Sequence, residues 1–267
     1  MGVKIIFSDI DGTFLNSKKK VTDLTVKAIH SLLEKNLKFV LVSARMPEAI
    51  YPILDTINLP RIPIISYSGA LVLNEYEKIL YDKKISAENS KNILTEVFNR
   101  WEDISVGYYS GRKWYVQKID HRIEYEMNST KVRAEIENFS NLIEKNILPN
   151  KIFIRCEPPT CKEMDFVLNE KFKNLNIVRS APHLLEIMDK TVTKAEGIKI
   201  LLDYYGITKD EAAAFGDNYN DIEMLKYIPR SVAMANAPDG VKKYARFITD
   251  SNDDSGIYTY LKKIEII

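Results

Sequence analysis

Residues 4–13 read KIIFSDIDGT, an apolar run that ends in two aspartates, a glycine and a threonine. The apolar residues are continuous and not alternating, which is typical of a strand buried on both faces of a parallel sheet. Asp9 and Asp11 follow where the strand ends, and Gly12 permits a tight loop there. Because the chain turns at this point, both carboxylates can face one pocket. This stretch therefore predicts a buried strand that carries two carboxylates at its carboxyl end.

Four further apolar runs of similar length end in small or polar residues: 39–42, 62–65, 212–215 and 231–234. Segments with helical spacing lie between the runs, such as 24–33 after the N-cap residue Thr22, and 194–205 before Gly206. Strand–helix alternation of this kind predicts an α/β fold with a doubly wound, Rossmann-like parallel sheet. Ligands bind outside the carboxyl ends of such strands. The polar residues expected to converge at that edge are Asp9, Ser43, Ser68 and Asp217.

The middle of the chain follows a different pattern. Between residues 84 and 184 the apolar runs are interrupted by polar residues or lie among aromatic ones, as in 106–109, 114–116 and 152–154. The sequence SGRK at 110–113 is typical of a hairpin turn. We therefore expect residues 84–184 to form a smaller α+β domain, inserted into a core made of residues 1–83 and 185–267.

Composition excludes several classes of protein. The 267 residues include 38 basic and 37 acidic ones, a formal net charge of +1, and 45% are hydrophobic. A nucleic-acid or membrane-surface protein carries a basic excess, and a disordered chain has fewer apolar residues. No run approaches the ~20 apolar residues of a membrane-spanning helix, and the N-terminus lacks the pattern of a signal peptide. With only two cysteines, a cytoplasmic location is expected.

The acidic residues suggest a metal site. Two carboxylates that share a pocket repel one another, which raises one pKa or recruits a cation. Residues 215–221 read FGDNYND and place Asp217 and Asp221 around the first turn of a helix, with Asn220 between them. Hard cations such as Mg²⁺ prefer these oxygen ligands. Considered singly, the first motif also fits a surface turn, the second fits a helix cap, and Lys194 fits a solvated helix residue.

Taken together, these motifs resemble those of the haloacid dehalogenase superfamily. The matching residues are the stretch 9–13, Ser43, Lys194 and the acidic pattern of 216–221, in that order. Further likeness to the Cof-type phosphatases of this superfamily lies in residues 42–45, 68–70, 232–237 and 253–256. Ser43 and Ser68 stand where the Cof pattern usually has threonine and asparagine. The resemblance covers the whole core and implies that the insert is a cap domain that determines substrate specificity.

The resemblance implies a Mg²⁺-dependent phosphomonoesterase that acts on a small phosphorylated metabolite such as a sugar phosphate. Asp9 is expected as the nucleophile that forms an aspartyl-phosphate, and Asp11 as the general acid and base. Mg²⁺ is expected at Asp9, Asp217 and the backbone carbonyl of Asp11, with Asp221 and Asn220 in support. The resemblance assigns the phosphate oxygens to the turn after the second core strand, to the lysine at the start of a later helix and to one amide: Ser43, Ala44, Arg45, Lys194 and Asn220.

Two alternatives to a phosphatase stay open at this stage. A sugar phosphomutase uses the same core chemistry but passes the phosphate to a second hydroxyl group. A catalytically silent regulatory protein is also conceivable on this fold, although the motifs retain all five charged residues: Asp9, Asp11, Lys194, Asp217 and Asp221. Neither a nucleic acid nor a membrane is expected as a partner.

The two cysteines, Cys156 and Cys161, both lie in the predicted insert. Two cysteines cannot complete a tetrahedral zinc site, and no histidine lies within motif distance of them. We therefore expect both to be structural.

Overall fold

A computed structural model describes residues 2–267 and contains two β-sheets. The strands are, in chain order, β1 (Ile5–Asp9), β2 (Lys38–Val42), β3 (Ile64–Ser66), β4 (Leu71–Leu73), β5 (Ile79–Asp82), β6 (Ser105–Ser110), β7 (Lys113–Val116), β8 (Glu135–Ile136), β9 (Lys151–Arg155), β10 (Leu175–Ala181), β11 (Leu184–Asp189), β12 (Ala212–Gly216), β13 (Arg230–Ala233) and β14 (Phe247–Ile248). The α-helices are α1 (Asp23–Glu34), α2 (Pro47–Thr56), α3 (Ala87–Arg100), α4 (His121–Thr130), α5 (Phe139–Glu144), α6 (Pro158–Lys171), α7 (Lys194–Tyr205), α8 (Ile222–Tyr227), α9 (Asp239–Lys242) and α10 (Gly256–Lys263).

The larger sheet has the strand order β14-β13-β12-β1-β2-β3-β4-β5. The strands from β14 to β3 pair in parallel, and β4 pairs antiparallel with β3. β1 lies between β12 and β2, and in the parallel register Asp9 is paired with Val42. The predicted α/β fold class, with a largely parallel central sheet, is confirmed.

Helices cover both faces of this sheet because successive strand residues point to opposite sides. On one face, Ile5 and Phe7 of β1 belong to a buried cluster with Ile198 of α7 and Met224 of α8. On the other face, α10 packs through Tyr260, whose ring centroid lies 5.5 Å from that of Phe215. β12 is thus packed on both faces, because its Ala212 and Ala214 belong to the first cluster and its Phe215 contacts α10.

The smaller sheet has the order β10-β11-β9-β6-β7-β8. Successive side chains of β6, β9 and β11 point to opposite faces of this sheet. Those on one face pack with α3, α5 and α6 in a single buried cluster. The chain separates into two compact units, of which the second comprises Met46–Ala49 and Asp82–Val192. The predicted boundary at residue 184 falls at the start of β11, which pairs with β9 and β10 and so belongs to the second unit. Across the described residues 2–267, no helix combines the length and apolar character needed to cross a membrane.

Candidate active site

A buried lysine joins two strand ends of the first unit. Lys194 is the first residue of α7, whose N-cap Thr193 accepts a hydrogen bond from the backbone amide of Glu196. The Lys194 side chain is fully buried, and its Nζ donates to Asp9 Oδ1 and to Asp221 Oδ1, both at 2.5 Å. Asp9 is the last residue of β1, and Asp221 follows β12 by one short turn. The contact unites residues 9, 194 and 221 at the carboxyl edge of the sheet.

The protonation of this group follows from its burial. Burial alone would lower the pKa of Lys194, but the carboxylates of Asp221 and Asp9 outweigh that effect and raise the pKa. Lys194 is therefore a permanent cation. The pKa of Asp9 is raised well above its ordinary value, first by burial and then by the negative charges of Asp221 and Asp217, although Lys194 opposes the rise. Lys194 thus offsets only part of the effect that burial and the neighbouring carboxylates have on the pKa of Asp9.

The turn after β12 is folded around the carboxylate of Asp221. Its Oδ2 accepts hydrogen bonds from the backbone amides of Asp217 at 2.9 Å and Asn218 at 3.0 Å. A Cβ at Gly216 would lie 2.7 Å from the Cβ of Asp221, so only glycine fits beside it. Asp221 consequently cannot rotate away, and the turn presents Asp217 next to Asp9.

A hydroxyl of the first motif orients Asp217. Thr13 Oγ1 donates to Asp217 Oδ1 at 2.6 Å, across 204 residues of sequence. Burial raises the pKa of Asp217 to about 6, the Thr13 hydrogen bond opposes the rise, and the charge of Asp221 adds to it. Asp217 is therefore half-protonated near pH 6 when nothing else neutralises it.

One carboxylate oxygen from each of Asp9, Asp217 and Asp221 lies within 4.8 Å of the other two. Three carboxylates against one ammonium group leave an excess of two negative charges. The donor atoms are all hard oxygens, the ligand type that suits Mg²⁺. Burial first, and then the charges of neighbouring carboxylates, raise the pKa values of Asp9 and Asp217. The cluster thus fits a divalent cation and can hold one.

Gly12 lets the first motif approach Asp217 closely. Its φ of +91° is one that side-chain-bearing residues rarely adopt, and an added Cβ would lie 2.3 Å from Asp217 Oδ2. The loop that contains it is closed by hydrogen bonds from Phe14 N to Asp9 O and from Leu15 N to Ile10 O. Both the positive φ and the close approach to Asp217 require glycine here, at the position predicted to permit a tight loop.

Asp11 faces a different set of partners from Asp9. Arg45 donates to both of its oxygens at 2.8 Å, and Lys19 Nζ lies 2.9 Å from Oδ1. Burial acts to raise the pKa of Asp11, but the hydrogen bonds and charges of Arg45 and Lys19 lower it to about 2. The Asp11 carboxylate is not among the three that cluster, and the metal role expected of Asp11 involved only its backbone carbonyl.

The end of β2 brings Ser43 beside β1. Ser43 is buried, its backbone amide donates to Ile65 O, and its Oγ accepts from the amide of Arg45 at 3.2 Å. Ala44 lies between them in the same turn. Ser68 is held there as well, since its amide donates to Ser43 O at 2.8 Å. The turn therefore presents backbone and hydroxyl groups at the edge where Asp9 ends its strand.

Asn220 is a predicted site residue that lies outside the cluster of Asp9, Asp217 and Asp221. Its side chain is exposed in the turn Tyr219–Asp221, and none of the hydrogen bonds that join the described acidic residues includes it. Some contacts of the site residues were not foreseen. The Thr13 bond to Asp217 could have been suspected, because Thr13 closes the first motif. No pattern in the sequence points Arg45 or Lys19 at Asp11.

Comparison with known proteins agrees with this geometry. The model of the haloacid dehalogenase-like hydrolase family matches residues 6–261. A curated protein of Haemophilus influenzae named "Putative phosphatase" is 34% identical over 98% of both chains. A crystal structure from Thermotoga maritima superposes with a TM-score of 0.88 at 27% identity, covering 98% of this chain and 97% of that one. A haloacid dehalogenase-like hydrolase from Bacteroides thetaiotaomicron gives a TM-score of 0.86 at 27% identity, over 98% and 99% of the two chains.

The chain belongs to the haloacid dehalogenase-like hydrolases, as its motifs suggested. Within that class it is a phosphatase, an enzyme that removes phosphate groups.

Proposed function

We propose that this phosphatase is a Mg²⁺-dependent phosphomonoesterase that acts on a small phosphorylated metabolite, such as a sugar phosphate, through an aspartyl-phosphate. The observation that carries the proposal is the junction of Lys194 with Asp9 and Asp221, next to Asp217. It brings a strand-end carboxylate, a fixed cation and two metal-type ligands together. Phosphoryl transfer depends mainly on such positioning and charge stabilisation.

Asp9, Asp217 and Asp221 would hold the Mg²⁺, with the Asp11 carbonyl as a further ligand expected from the family. When bound, the ion supplies the positive charge that keeps these carboxylates ionised and neutralises phosphate oxygens. Lys194 fixes the orientation of the Asp9 carboxylate and adds a second positive charge. An oxygen of Asp9 attacks the phosphorus atom, the bond to the leaving oxygen breaks, and the phosphate becomes attached to Asp9. Ser43 and the turn after it hold the phosphate oxygens.

Asp11 gives a proton to the leaving oxygen and then takes one from the water that hydrolyses the intermediate. With a pKa of about 2, Asp11 is ionised at neutral pH and is ready only for the second of these steps. Arg45 and Lys19 are the cations that hold the pKa down, and a phosphate dianion attracts both. When they turn toward the phosphate, the pKa of Asp11 rises toward the value that proton donation needs.

The test is a measurement of free phosphate release across a panel of phosphorylated metabolites, with Mg²⁺ and with excess chelator. We expect turnover of small phosphomonoesters with Mg²⁺, none with chelator, and none with the Asp9→Asn variant. Assaying isomer interconversion on the same sugar phosphates separates hydrolysis from phosphate transfer to a second hydroxyl. Full activity in chelator would overturn the metal assignment, and isomerisation without phosphate release would favour the phosphomutase.

A further inference from the structure

Three sulfur atoms meet inside the second unit. Cys156 follows the end of β9, while Cys161 and Met164 lie three residues apart on α6. All three side chains are buried, with at most 2% exposure. Cys156 Sγ lies 3.8 Å from Met164 Sδ, and Cys161 is near enough to raise the pKa of the Cys156 thiol.

We propose that Cys156, Cys161 and Met164 form a binding site for a soft monovalent cation of the copper(I) type. Thiolate and thioether sulfurs select such ions. Mg²⁺ prefers oxygen ligands instead, and structural zinc is coordinated by four donors. A three-coordinate ion with metal–sulfur bonds of about 2.3 Å holds its ligands about 4 Å apart. The 3.8 Å separation of Cys156 and Met164 already meets that spacing.

The local backbone holds the donors in place before any ion arrives. The Cys156 amide donates to His183 O at 3.3 Å, which fixes the end of β9 against the β10–β11 turn. The Cys161 amide donates to Glu157 O at 2.9 Å as part of the first turn of α6. Cys161 and Met164 share one face of that helix, since residues three apart are neighbours on its surface. The backbone positions of Cys156 and Cys161 are therefore fixed before an ion binds.

A cavity adjoins the cluster on the side of Cys156. Cys156 lines a cavity of about 500 Å³ together with His121, Tyr125 and His183. Burial raises the pKa of both thiols, that of Cys156 to about 12, so both are protonated when the site is empty. On binding, each thiol releases its proton to water and each sulfur donates a lone pair to the ion, with no change of oxidation state. The charge of Arg122 favours a thiolate at Cys156 and that of Arg179 favours one at Cys161, while Glu157 and Asp165 act against them.

The experiment is an anaerobic titration of the reduced full-length protein with Cu(I), in competition with a coloured Cu(I) chelator. Because the chain has only two cysteines, the thiolate-to-copper absorption band reports on this cluster alone. We expect one ion per chain and a rise in the unfolding temperature on binding. Cys156→Ser and Cys161→Ala should each weaken binding more than about 100-fold, since even outer-shell partners contribute about 10–100-fold to metal affinity.

Met164→Leu tests the thioether without emptying the core, because a leucine of similar volume replaces it. It should weaken binding about tenfold or more, as expected for loss of a ligand. Met188→Leu, at a buried methionine outside the cluster, should not change affinity. The proposal is overturned if the wild-type protein cannot compete for Cu(I), if the double cysteine variant binds equally well, or if both methionine variants behave alike. Equal affinity for Zn²⁺ at these cysteines would also contradict it.

Discussion

Arg45 forms a bidentate ion pair with the carboxylate of Asp11: its Nε donates to Oδ2 and its Nη2 donates to Oδ1, each at 2.8 Å. The planar guanidinium matches both oxygens at once, which a lysine ammonium cannot do. Lys19 adds a third contact at 2.9 Å. The residue expected to exchange protons with substrate is therefore stabilised as an anion before substrate binds. Its protonation in catalysis depends on how readily these two cations leave it.

Replacing Arg45 should raise the pKa of Asp11. In Arg45→Gln we expect the pKa to move from about 2 toward the ordinary ~3.9, and to stop short of it because Lys19 remains. The carboxyl carbon shift of Asp11, assigned with Asp11→Asn, follows this titration by NMR. Arg61→Gln, which removes a pair with Asp55 on the surface, is the matched control. An Asp11 titration identical in Arg45→Gln and wild type would contradict the contact.

The contact between Arg45 and Asp11 should also make the free energy of unfolding depend on pH. A depressed carboxyl pKa stabilises the fold fully above the unfolded value of ~3.9, and the contribution disappears as pH falls through the folded value of about 2. Arg45→Gln should thus be less stable than wild type at pH 5–7, and the difference should shrink as pH approaches 2. Denaturant unfolding at several pH values measures it.

Asp217 should give the opposite pH dependence in metal-free protein. Its folded pKa of about 6 lies above the ordinary value of 3.8, so the folded state binds the extra proton. Between about pH 4 and 6 stability therefore falls as pH rises, by at most about 3 kcal/mol for this one group. We expect the chelated protein to unfold at a higher temperature at pH 5 than at pH 7.

Two controls isolate Asp217 as the source of that effect. Asp217→Asn cannot titrate and should reduce the pH dependence in chelator. Saturating Mg²⁺ should reduce it as well, because the ion replaces the proton as the counter-charge. If wild type and Asp217→Asn lose stability equally between pH 5 and pH 7, another group is responsible.

Gly12 and Gly111 offer a matched pair of substitutions. Both have positive φ, but a Cβ at Gly12 would lie 2.3 Å from Asp217 Oδ2, whereas nothing lies within 4 Å of a Cβ at Gly111. Both alanine variants incur a backbone cost of about 1 kcal/mol. Only Gly12→Ala must also displace Asp217, so it should lower kcat/KM by about 100-fold or more and raise the Mg²⁺ requirement. Similar activity of the two variants would show that the loop near Gly12 relaxes freely.

The core of the fold was predictable because its signals are local. The run before Asp9 and the run before Asp217 are continuously apolar, and both became parallel strands with acidic residues at their carboxyl ends. Parallel pairing then brings residues over 200 positions apart to one edge. The order of strands in the second sheet was not predictable, since antiparallel partners there are chosen by packing and not by any local pattern.

The site was predictable only as a set of residue types. The motifs name Lys194 and the acidic residues, but the sequence does not say which carboxylates share the lysine. The largest differences between the predicted and the observed site involve long, flexible side chains. Arg45 was expected to hold phosphate, yet both Arg45 and Lys19 contact the half-buried Asp11, whose carboxylate attracts cations that can reach it.

The last prediction separates the two aspartates of the first motif by using an aryl phosphate ester. Asp9→Asn lacks the nucleophile, so no covalent intermediate forms on any substrate. Asp11→Asn keeps the nucleophile and loses the proton donor. A phenolate with a good leaving ability hardly needs that proton, so the first step should proceed, while the second step lacks its base. The aspartyl-phosphate should therefore accumulate in Asp11→Asn.

Rapid mixing of the aryl ester with Asp11→Asn should release a burst of phenol near one equivalent, followed by slow turnover. With an alkyl ester such as a sugar phosphate, the same variant should show no burst, because the alkoxide leaves only when protonated. Asp11→Asn also removes the negative charge that Arg45 and Lys19 contact, so its affinity for phosphate should equal or exceed that of wild type. A burst from Asp9→Asn, or identical behaviour of the two variants on the aryl ester, would show that the nucleophile and the acid–base residue are wrongly assigned.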